Sequence, residues 1–305
     1  MKNKKTALTL IFVVALLVLI FSCESLGGIA QVGAALGQAF GVIDDRTADA
    51  ITKSGVAIKK AFEDITPEQE YYIGRAVGAN ILSKYKIQTN KPDMLAYVNK
   101  ICKTLVINSP RPEIFNGYHV NILDSDEINA FATSGGHIFI TRGLIESTTS
   151  EDTLAAVIAH EVSHIQLQHG LKAIKNSRIT QALLITGTSA AGAAGNSDIA
   201  QLVDVFGDSI NEVVTTMVTN GYSRTQEYEA DSMAMSLMDL AGYEPSSLVD
   251  MLKTLEKTQS SHPGGFNKTH PSPTDRITNA QKTVGNYKVP DTRSFRAARY
   301  AAVRK

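Results

Sequence analysis

The segment AVIAHEVSHIQLQHG, residues 156–170, carries side chains that can bind a metal ion and activate water. His160 and His164 flank Glu161 in the pattern H-E-x-x-H. On a helix, positions four apart differ by about 40° around the axis, so both imidazoles point to the same side and can bind one zinc ion. Zinc lowers the pKa of a bound water, whose proton a neighbouring carboxylate can take during attack on a peptide carbonyl. The spacing therefore predicts zinc-assisted hydrolysis with Glu161 as the general base.

His169 is the third histidine of this segment, but its position argues against metal binding. It follows His160 by nine residues, which is about 180° around a continuous helix. The metzincin pattern H-E-x-x-H-x-x-G-x-x-H breaks the helix at a glycine, where this sequence has Leu167. We therefore expect His169 to lie outside the metal site and to interact with the carbonyls at the helix C-terminus.

A downstream segment, GYSRTQEYEADSMA (221–234), offers a candidate for the third ligand. Glu227 and Asp231 are four residues apart and share a helix face, whereas Glu229 points away from that face. A glutamate from a second helix completes a His-His-Glu site and leaves one position for water. Asp231 can then accept a hydrogen bond from a ligand histidine and fix its tautomer. The alternative, two solvated carboxylates on an amphipathic helix, is disfavoured by the companion H-E-x-x-H.

Helices and a small sheet are predicted to position these residues. Apolar residues recur at helical spacing around Cys102, which is expected to be a core residue. Alternation over YHVNILDSD (118–126) and over Gly136–Thr141 indicates two strands. The predicted helices begin near Ile65 and cover about 92–108, 150–169, 225–241 and 245–257. This pattern predicts an α+β fold that is mostly helical, with a small β-sheet beside the HEVSH helix.

The N-terminus has the features of a bacterial lipoprotein signal peptide. MKNKK is followed by the apolar run Ala7–Phe21, which is short for a membrane span. A small residue followed by Cys23 ends this run, so residues 1–22 are predicted to be removed and Cys23 to carry lipid. An uncleaved signal anchor is the alternative. Either interpretation places the body of the protein in the cell envelope, facing the periplasm, and Glu24 favours the outer membrane over the inner one.

Composition and charge set further bounds on the chain. The 30 basic residues balance the 30 acidic ones, so no nucleic-acid partner is expected. The tail is interpreted as a solvated basic helix face, with binding to anionic lipid headgroups as the alternative. Its basic residues are Arg293, Arg296, Arg299, Arg304 and Lys305. The predicted parts are a signal peptide (1–22), a lipid anchor and tether (23–65), a catalytic domain (66–285) and the basic tail (286–305).

Four segments in the same order resemble one family of enzymes. They are SDEINAFATSGGHIFITRGL, the HEVSH helix, SRTQEYEAD and THPSPTDRI. Together they resemble the HtpX-type zinc metallopeptidases, a gluzincin family that includes the CAAX-processing endoprotease and periplasmic lipoproteins. The resemblance covers about residues 66–285 and implies a zincin-like fold with one Zn²⁺ ion.

The resemblance implies a role for each matching residue. His160, His164 and Glu227 correspond to the zinc ligands. Glu161 corresponds to the general base, and Asp231 to a carboxylate that supports the ligands.

Two further residues and one strand receive roles from the resemblance. His270 matches a histidine at the active site that reaches the metal in a self-inhibited resting form; a turn histidine that caps a helix is the alternative. Arg276 matches an arginine that either assists the transition state or holds the turn. A strand beside the metal is expected to pair with an extended peptide substrate, with a purely structural strand as the alternative. This strand contains Gly136, His137, Ile138 and Phe139.

The function implied is that of a zinc-dependent metalloendopeptidase. Its substrates are expected to be unfolded or misassembled envelope proteins, and its membrane contact to be the lipid on Cys23. The alternative is a catalytically silent, zinc-stabilised chaperone or assembly scaffold. Such a structural zinc needs a fourth protein ligand, for which His270 is the candidate.

Overall fold

A computed structural model of the 305-residue chain describes residues 65–173, 221–258, 265–270, 272–287 and 292–304, together with Ala34, Ala35 and Gln38. The five ranges belong to one structural unit, which comprises Ile65–Ala173 and Glu212–Lys305. The predicted signal peptide, Cys23 and nearly all of the tether lie outside the described residues, as does the segment 187–197, which the sequence predicts to be a loop.

Helices dominate the described part of the chain. They are α1 (Pro67–Lys84), α2 (Pro92–Val106), α3 (Arg142–Ser147), α4 (Glu151–Gln166), α5 (Arg224–Leu240), α6 (Ser247–Thr258), α7 (Phe266–Thr269), α8 (Pro273–Gln281) and α9 (Arg293–Val303). The strands are β1 (His119–Leu123), β2 (Ala130–Ala132) and β3 (His137–Thr141). The predicted α+β class, mostly helical with a small sheet, is confirmed.

The start of α4 has the local chemistry that its sequence predicts. The Ser150 side chain accepts a hydrogen bond from the backbone N–H of Thr153, and the Thr153 side chain accepts one from the backbone N–H of Ser150. Glu151 and Asp152 occupy the first turn, where the helix dipole favours acidic groups. The helix that carries H-E-x-x-H therefore begins at a defined residue.

The core of the domain is built around α4. Every residue of this helix is buried, which is unusual for a helix of a domain this size. Helix α5 packs along it, with α2 and α6 on its flanks and β2 beside it. Cys102 on α2 is 1% exposed, as expected for a core residue. Because α4 is held on all sides, its two histidines are presented from a rigid element.

The sheet places β3 between its two neighbours, in the order β1-β3-β2. Strand β3 is parallel to β1 and antiparallel to β2. Both of its backbone edges are therefore used, which corrects the prediction that this strand pairs with a substrate. His137, Ile138 and Phe139 are internal to the sheet, and Gly136 belongs to the 3₁₀ turn before it. The edge beside α4 belongs to β2, a strand that the sequence did not reveal.

The C-terminal helix α9 packs against the N-terminal end of α4. Arg296 is 5% exposed and donates from Nε to Asp152 Oδ2 at 2.9 Å. Arg299 forms an ion pair with the buried carboxylate of Glu151. The interpretation of the basic tail as a solvated helix face is therefore wrong for Arg296, whereas Arg299 remains 54% exposed while it pairs with Glu151. The two arginines pair with two acidic residues at the beginning of the helix that carries H-E-x-x-H.

No helix in the described ranges combines the length and the hydrophobicity that crossing a membrane requires.

Candidate metal centre

Four side chains from three places in the chain form a buried cluster. His160 and His164 come from α4, Glu227 from α5, and His270 directly follows α7. One donor atom from each lies within 4.8 Å of the others. The sequence pattern therefore anticipated which residues come together, and the turn histidine completes the set.

The distances between donor atoms match those expected around a tetrahedral metal ion. His160 Nε2 lies 3.1 Å from His164 Nε2, 3.2 Å from His270 Nδ1 and 3.4 Å from Glu227 Oε2. Glu227 Oε1 lies 3.1 Å from His270 Nδ1 and 3.6 Å from His164 Nε2. Ligands about 2.0–2.1 Å from a tetrahedral zinc are about 3.3 Å apart. The residues present therefore fit a metal ion of this kind.

Glu161 lies beside this cluster without belonging to it. Its side chain is fully buried, and its Oε1 is 3.5 Å from His270 Nε2. Neither carboxylate oxygen has a hydrogen-bond partner among the described residues. Burial raises the pKa of Glu161. A buried carboxylate without a hydrogen bond is costly, so the position of Glu161 requires an explanation.

Asp231 and Arg276 support the cluster from one side. Arg276 donates from Nε to Asp231 Oδ2 at 2.8 Å and from Nη2 to Asp231 Oδ1 at 2.6 Å. Asp231 Oδ1 is also 3.0 Å from His160 Nδ1, the nitrogen that faces away from the cluster. Arg276 Nη1 lies 3.0 Å from Glu227 Oε2, without the geometry of a hydrogen bond. Asp231 thus contacts a histidine of the cluster, and Arg276, 1% exposed, holds Asp231 in place.

The cluster strongly perturbs the pKa values of its members. Burial and the Arg276 charge act to lower the pKa of His160, but the carboxylates of Asp231 and Glu227 outweigh them and raise that pKa to about 9. Burial lowers the pKa of His164 well below its usual value. Although burial opposes ionisation of Glu227, His270 and Arg276 hold its pKa well below the ordinary range. Perturbation of this kind is typical of functional sites.

His169 does not interact with helix-end carbonyls, which corrects that expectation. Helix α4 ends at Gln166, and Gln168 adopts a left-handed conformation with φ 54°. The chain therefore turns before His169, so the calculation for a continuous helix does not apply. His169 Nδ1 lies 2.9 Å from His164 Nδ1, and its Nε2 lies 3.2 Å from Glu229 Oε2. Glu229, expected to point away, reaches back to this histidine.

Two aromatic residues that the sequence did not single out contact the histidines. Tyr222 stacks on the ring of His164, with centroids 3.9 Å apart and planes 15° apart. Phe266 stacks on His270 at 4.2 Å and 17°. The one available signal for Tyr222 was its place directly before the N-cap residue Ser223 of α5. Nothing in the sequence pattern indicated Phe266.

The arrangement defines the class of protein. A buried helix with H-E-x-x-H, a carboxylate donor from a second long helix and a small sheet beside them are the features of a gluzincin metallopeptidase domain. The chain belongs to peptidase family M48, whose profile matches residues 92–284. The predicted family resemblance is confirmed, and membership together with the four-residue cluster indicates a metal ion in this domain.

Several characterised proteins are similar to this chain. The Beta-barrel assembly-enhancing protease of Escherichia coli (strain K12) is 26% identical over 218 residues, which cover 70% of this chain and 42% of that protein. Metalloprotease LoiP of the same organism is 29% identical over 163 residues, 53% of this chain and 61% of LoiP. Mitochondrial metalloendopeptidase OMA1 of Schizosaccharomyces pombe is 22% identical over 227 residues, 73% and 63% of the two chains. The chain thus spans less than half the length of the first of these relatives.

Proposed function

We propose that this protein is a zinc-dependent metalloendopeptidase, anchored by lipid at Cys23 and facing the periplasm. The observation that carries the proposal is the buried carboxylate of Glu161, which has no hydrogen-bond partner among the described residues and lies beside four side chains that could hold a metal ion. A purely structural metal site has no use for such a group, because burying it costs free energy. A general base needs it, because its oxygens must be available to water.

In this proposal, the zinc ligands are His160, His164 and Glu227. Zinc, when bound, supplies Lewis-acid chemistry: it polarises the scissile carbonyl and makes water a stronger nucleophile at neutral pH. Glu161 takes a proton from the attacking water and gives it to the amine nitrogen as the C–N bond breaks. Burial, which raises the pKa of Glu161, favours the protonated form that must exist between these two transfers.

His270 makes the described form a resting one. A fourth protein donor occupies the position that a catalytic zinc site leaves open for water or substrate. Its Nδ1 is 3.1 Å from Glu227 Oε1, and its ring is 2% exposed. We expect His270 to leave this position when substrate binds. Arg276 is occupied by Asp231 in this form, so its role here is to hold the supporting carboxylate.

The outer edge of β2, which no strand among the described residues pairs with, is proposed to bind the peptide substrate once the segment before His270 moves. In the described form this edge is covered: Ala130 is 0% and Ala132 5% exposed, and the N–H of Phe266 donates to Ile128 O just before the strand.

Asn129 O and Thr133 N bond to β3, so the alternate residues Ala130 and Ala132 direct their backbone groups to the other side. The side chain of Asn129 already accepts a hydrogen bond from the backbone N–H of Ala130. Ala132 is therefore the main residue whose backbone can pair with a substrate.

Pairing through backbone groups selects extended chains with little regard to sequence. Unfolded or misassembled envelope proteins present such chains, and we propose them as the substrates. The name of the Escherichia coli relative, a Beta-barrel assembly-enhancing protease, supports this class.

Hydrolysis of an unfolded protein by the purified full-length chain tests the proposed activity. We expect cleavage of casein with added zinc, none after treatment with a chelator, and recovery when zinc is returned. Glu161→Gln is expected to abolish cleavage while zinc binding is retained. Cleavage that survives either the chelator or this substitution would refute the proposed zinc-dependent mechanism.

The zinc-stabilised scaffold is a second candidate, which the presence of four protein donors supports. His270→Ala separates the two. In the peptidase, this substitution opens a position on the metal and increases or alters cleavage. In the scaffold, it removes a structural ligand, so the melting temperature of the zinc-loaded protein falls without any cleavage appearing.

The proposed anchor has its own test. Labelling of cells with a radioactive fatty acid is expected to mark the wild-type chain but not Cys23→Ser. Density-gradient separation of the membranes is expected to place the labelled chain in the outer-membrane fraction. Equal labelling of both forms would contradict lipidation at this cysteine.

A further inference from the structure

The two histidines of α4 have different partners on their outer nitrogens. His160 Nδ1 faces a carboxylate directly, since Asp231 Oδ1 is 3.0 Å away. His164 Nδ1 faces another imidazole, since His169 Nδ1 is 2.9 Å away. The second ring of that pair continues to Glu229, whose Oε2 is 3.2 Å from His169 Nε2. A carboxylate therefore supports the outer nitrogen of each histidine. Asp231 contacts His160 directly, whereas Glu229 reaches His164 only through the ring of His169.

The backbone places His169 for this contact. Helix α4 ends at Gln166, and the left-handed residue Gln168 reverses the direction of the chain before His169. A non-glycine residue in this conformation costs about 1 kcal/mol or more and persists where the surrounding structure requires it. The imidazole of His169 is fully buried beneath the end of the helix. The turn thus carries a buried polar ring to the outer side of His164.

Metal binding determines the direction of the hydrogen bonds in the series His164–His169–Glu229. His164 Nε2 points into the cluster, so it must keep its lone pair for the metal, and the ring proton sits on Nδ1. That N–H donates to His169 Nδ1, which must then be an acceptor. His169 carries its own proton on Nε2 and donates it to the Glu229 carboxylate. Once His164 Nε2 must keep its lone pair for the metal, each of the two rings has only one allowed tautomer.

We infer that His169 and Glu229 are positioning residues that hold His164 in its metal-binding tautomer and orientation. The inference rests on the metal site of the proposed function. Partners on the outer nitrogen of a ligand histidine orient the ring and increase its basicity. His169 itself is not a ligand, because its Nδ1 faces the outer nitrogen of His164 and its Nε2 faces Glu229, so neither nitrogen joins the donor atoms of the four-residue cluster.

Zinc affinity is the quantity that tests this role. It is measured on the full chain by competition with a chromophoric chelator, alongside the melting temperature of the metal-free protein. His169→Phe keeps a flat ring but removes both hydrogen bonds, and we expect affinity to fall about 10- to 100-fold. His169→Asn keeps an acceptor near the position of Nδ1, so it is expected to recover part of this loss.

Glu229→Ala provides a variant whose folding is not at risk. The Glu229 side chain is 47% exposed, so its removal leaves the core unchanged. We expect a smaller loss of zinc affinity, about several-fold, because the carboxylate acts through one intervening ring and is partly solvated. Asp239→Ala on the same helix is the matched control. It removes one carboxylate from α5 outside the hydrogen-bonded series His164–His169–Glu229, so it should leave zinc affinity unchanged.

The results separate this inference from the proposed function. Reduced zinc affinity in His169→Phe and Glu229→Ala, with Asp239→Ala like wild type, supports the positioning role. Tight zinc binding that neither substitution changes overturns the inference alone, and a lower melting temperature without a change in affinity assigns His169 to packing. If wild type itself binds no zinc, the proposed function fails, and the inference fails with it.

Discussion

Gly74 and Gly78 of helix α1 form a matched pair of positions with opposite expected responses to alanine. Both are buried, and both lie in the interior of the same helix. Glycine inside a helix is about 1 kcal/mol less favourable than alanine, so each position should be stabilised by the substitution if nothing opposes the added methyl group. The atoms that surround the added methyl group therefore decide whether the substitution raises or lowers the free energy of unfolding.

At Gly74 the new Cβ meets backbone. It would lie 1.6 Å from the carbonyl oxygen of Ser134 and 2.7 Å from its carbonyl carbon. Helix and turn must move apart by about 1.4 Å to reach the 3.0 Å below which real Cβ contacts essentially never fall. At Gly78 the nearest atom is Cζ of Phe139 at 3.3 Å, the far end of a side chain that can shift by a few tenths of an ångström.

The two substitutions should therefore differ by about 3 kcal/mol. Overpacking of a core costs about 1–3 kcal/mol, and the rigid backbone contact at Gly74 places that substitution at the upper end. After the helix-propensity gain of about 1 kcal/mol, Gly74→Ala is expected to lower the free energy of unfolding by about 2 kcal/mol. Gly78→Ala is expected to raise it by up to about 1 kcal/mol.

Urea denaturation followed by circular dichroism measures both free energies, and thermal melts check them. For a domain of this size, about 3 kcal/mol corresponds to a difference in melting temperature of about 6–12 °C. The turn that contacts Gly74 joins β2 to β3, so Gly74→Ala should also raise KM for a protein substrate through the proposed edge strand. If Gly74→Ala is as stable as Gly78→Ala, α1 does not approach this turn as closely as described, and the reasoning is refuted.

Four further outcomes are expected. Burial raises the pKa of Cys102 to about 12, so iodoacetamide should leave the native thiol unmodified at pH 9 and modify it in urea. Arg296→Ala should lower the free energy of unfolding by about 3 kcal/mol, because it leaves Asp152 buried without its partner, and Asp152→Asn in that background should recover part of the loss. Tyr222→Phe should raise the melting temperature by removing a buried hydroxyl that has no partner among the described residues, worth about 1 kcal/mol. Zinc at about 100 times its dissociation constant should raise the melting temperature by about 5–10 °C, and a chelator should reverse this.

The sequence predicts the parts of the site that depend on local geometry. His160 and His164 are brought together by helical spacing alone. The same spacing places Glu227 and Asp231 on one face of a second helix, and the packing of α5 against α4 then brings that face to the histidines. His270 carries no such signal, because its position depends on how the turn after α7 packs, and only the family resemblance pointed to it. Burial of α4 on every side also exceeds what its sequence pattern indicates.

The errors arise where long-range pairing or one backbone angle decides the outcome. Strand β3 has a clear alternating pattern, but no pattern shows that it lies in the middle of the sheet. Strand β2 has three residues, too few for a period to be recognised. The placement of His169 depends on the left-handed conformation of Gln168, which is uncommon for a residue other than glycine.

The charges buried around the cluster explain why a divalent ion suits it. Glu161, Glu227 and Asp231 contribute three carboxylates, and Arg276 one guanidinium, all at most 1% exposed. Their formal sum of two negative charges is what a divalent cation neutralises, and buried charge without a partner is strongly unfavourable. In the metal-free protein, protons reduce the same charge: the pKa of His160 is raised to about 9 and that of Glu161 is also raised. A metal that binds at His160 must displace that proton, so binding releases protons and weakens as the pH falls. The site therefore exchanges protons for metal without leaving its carboxylates uncompensated in the core.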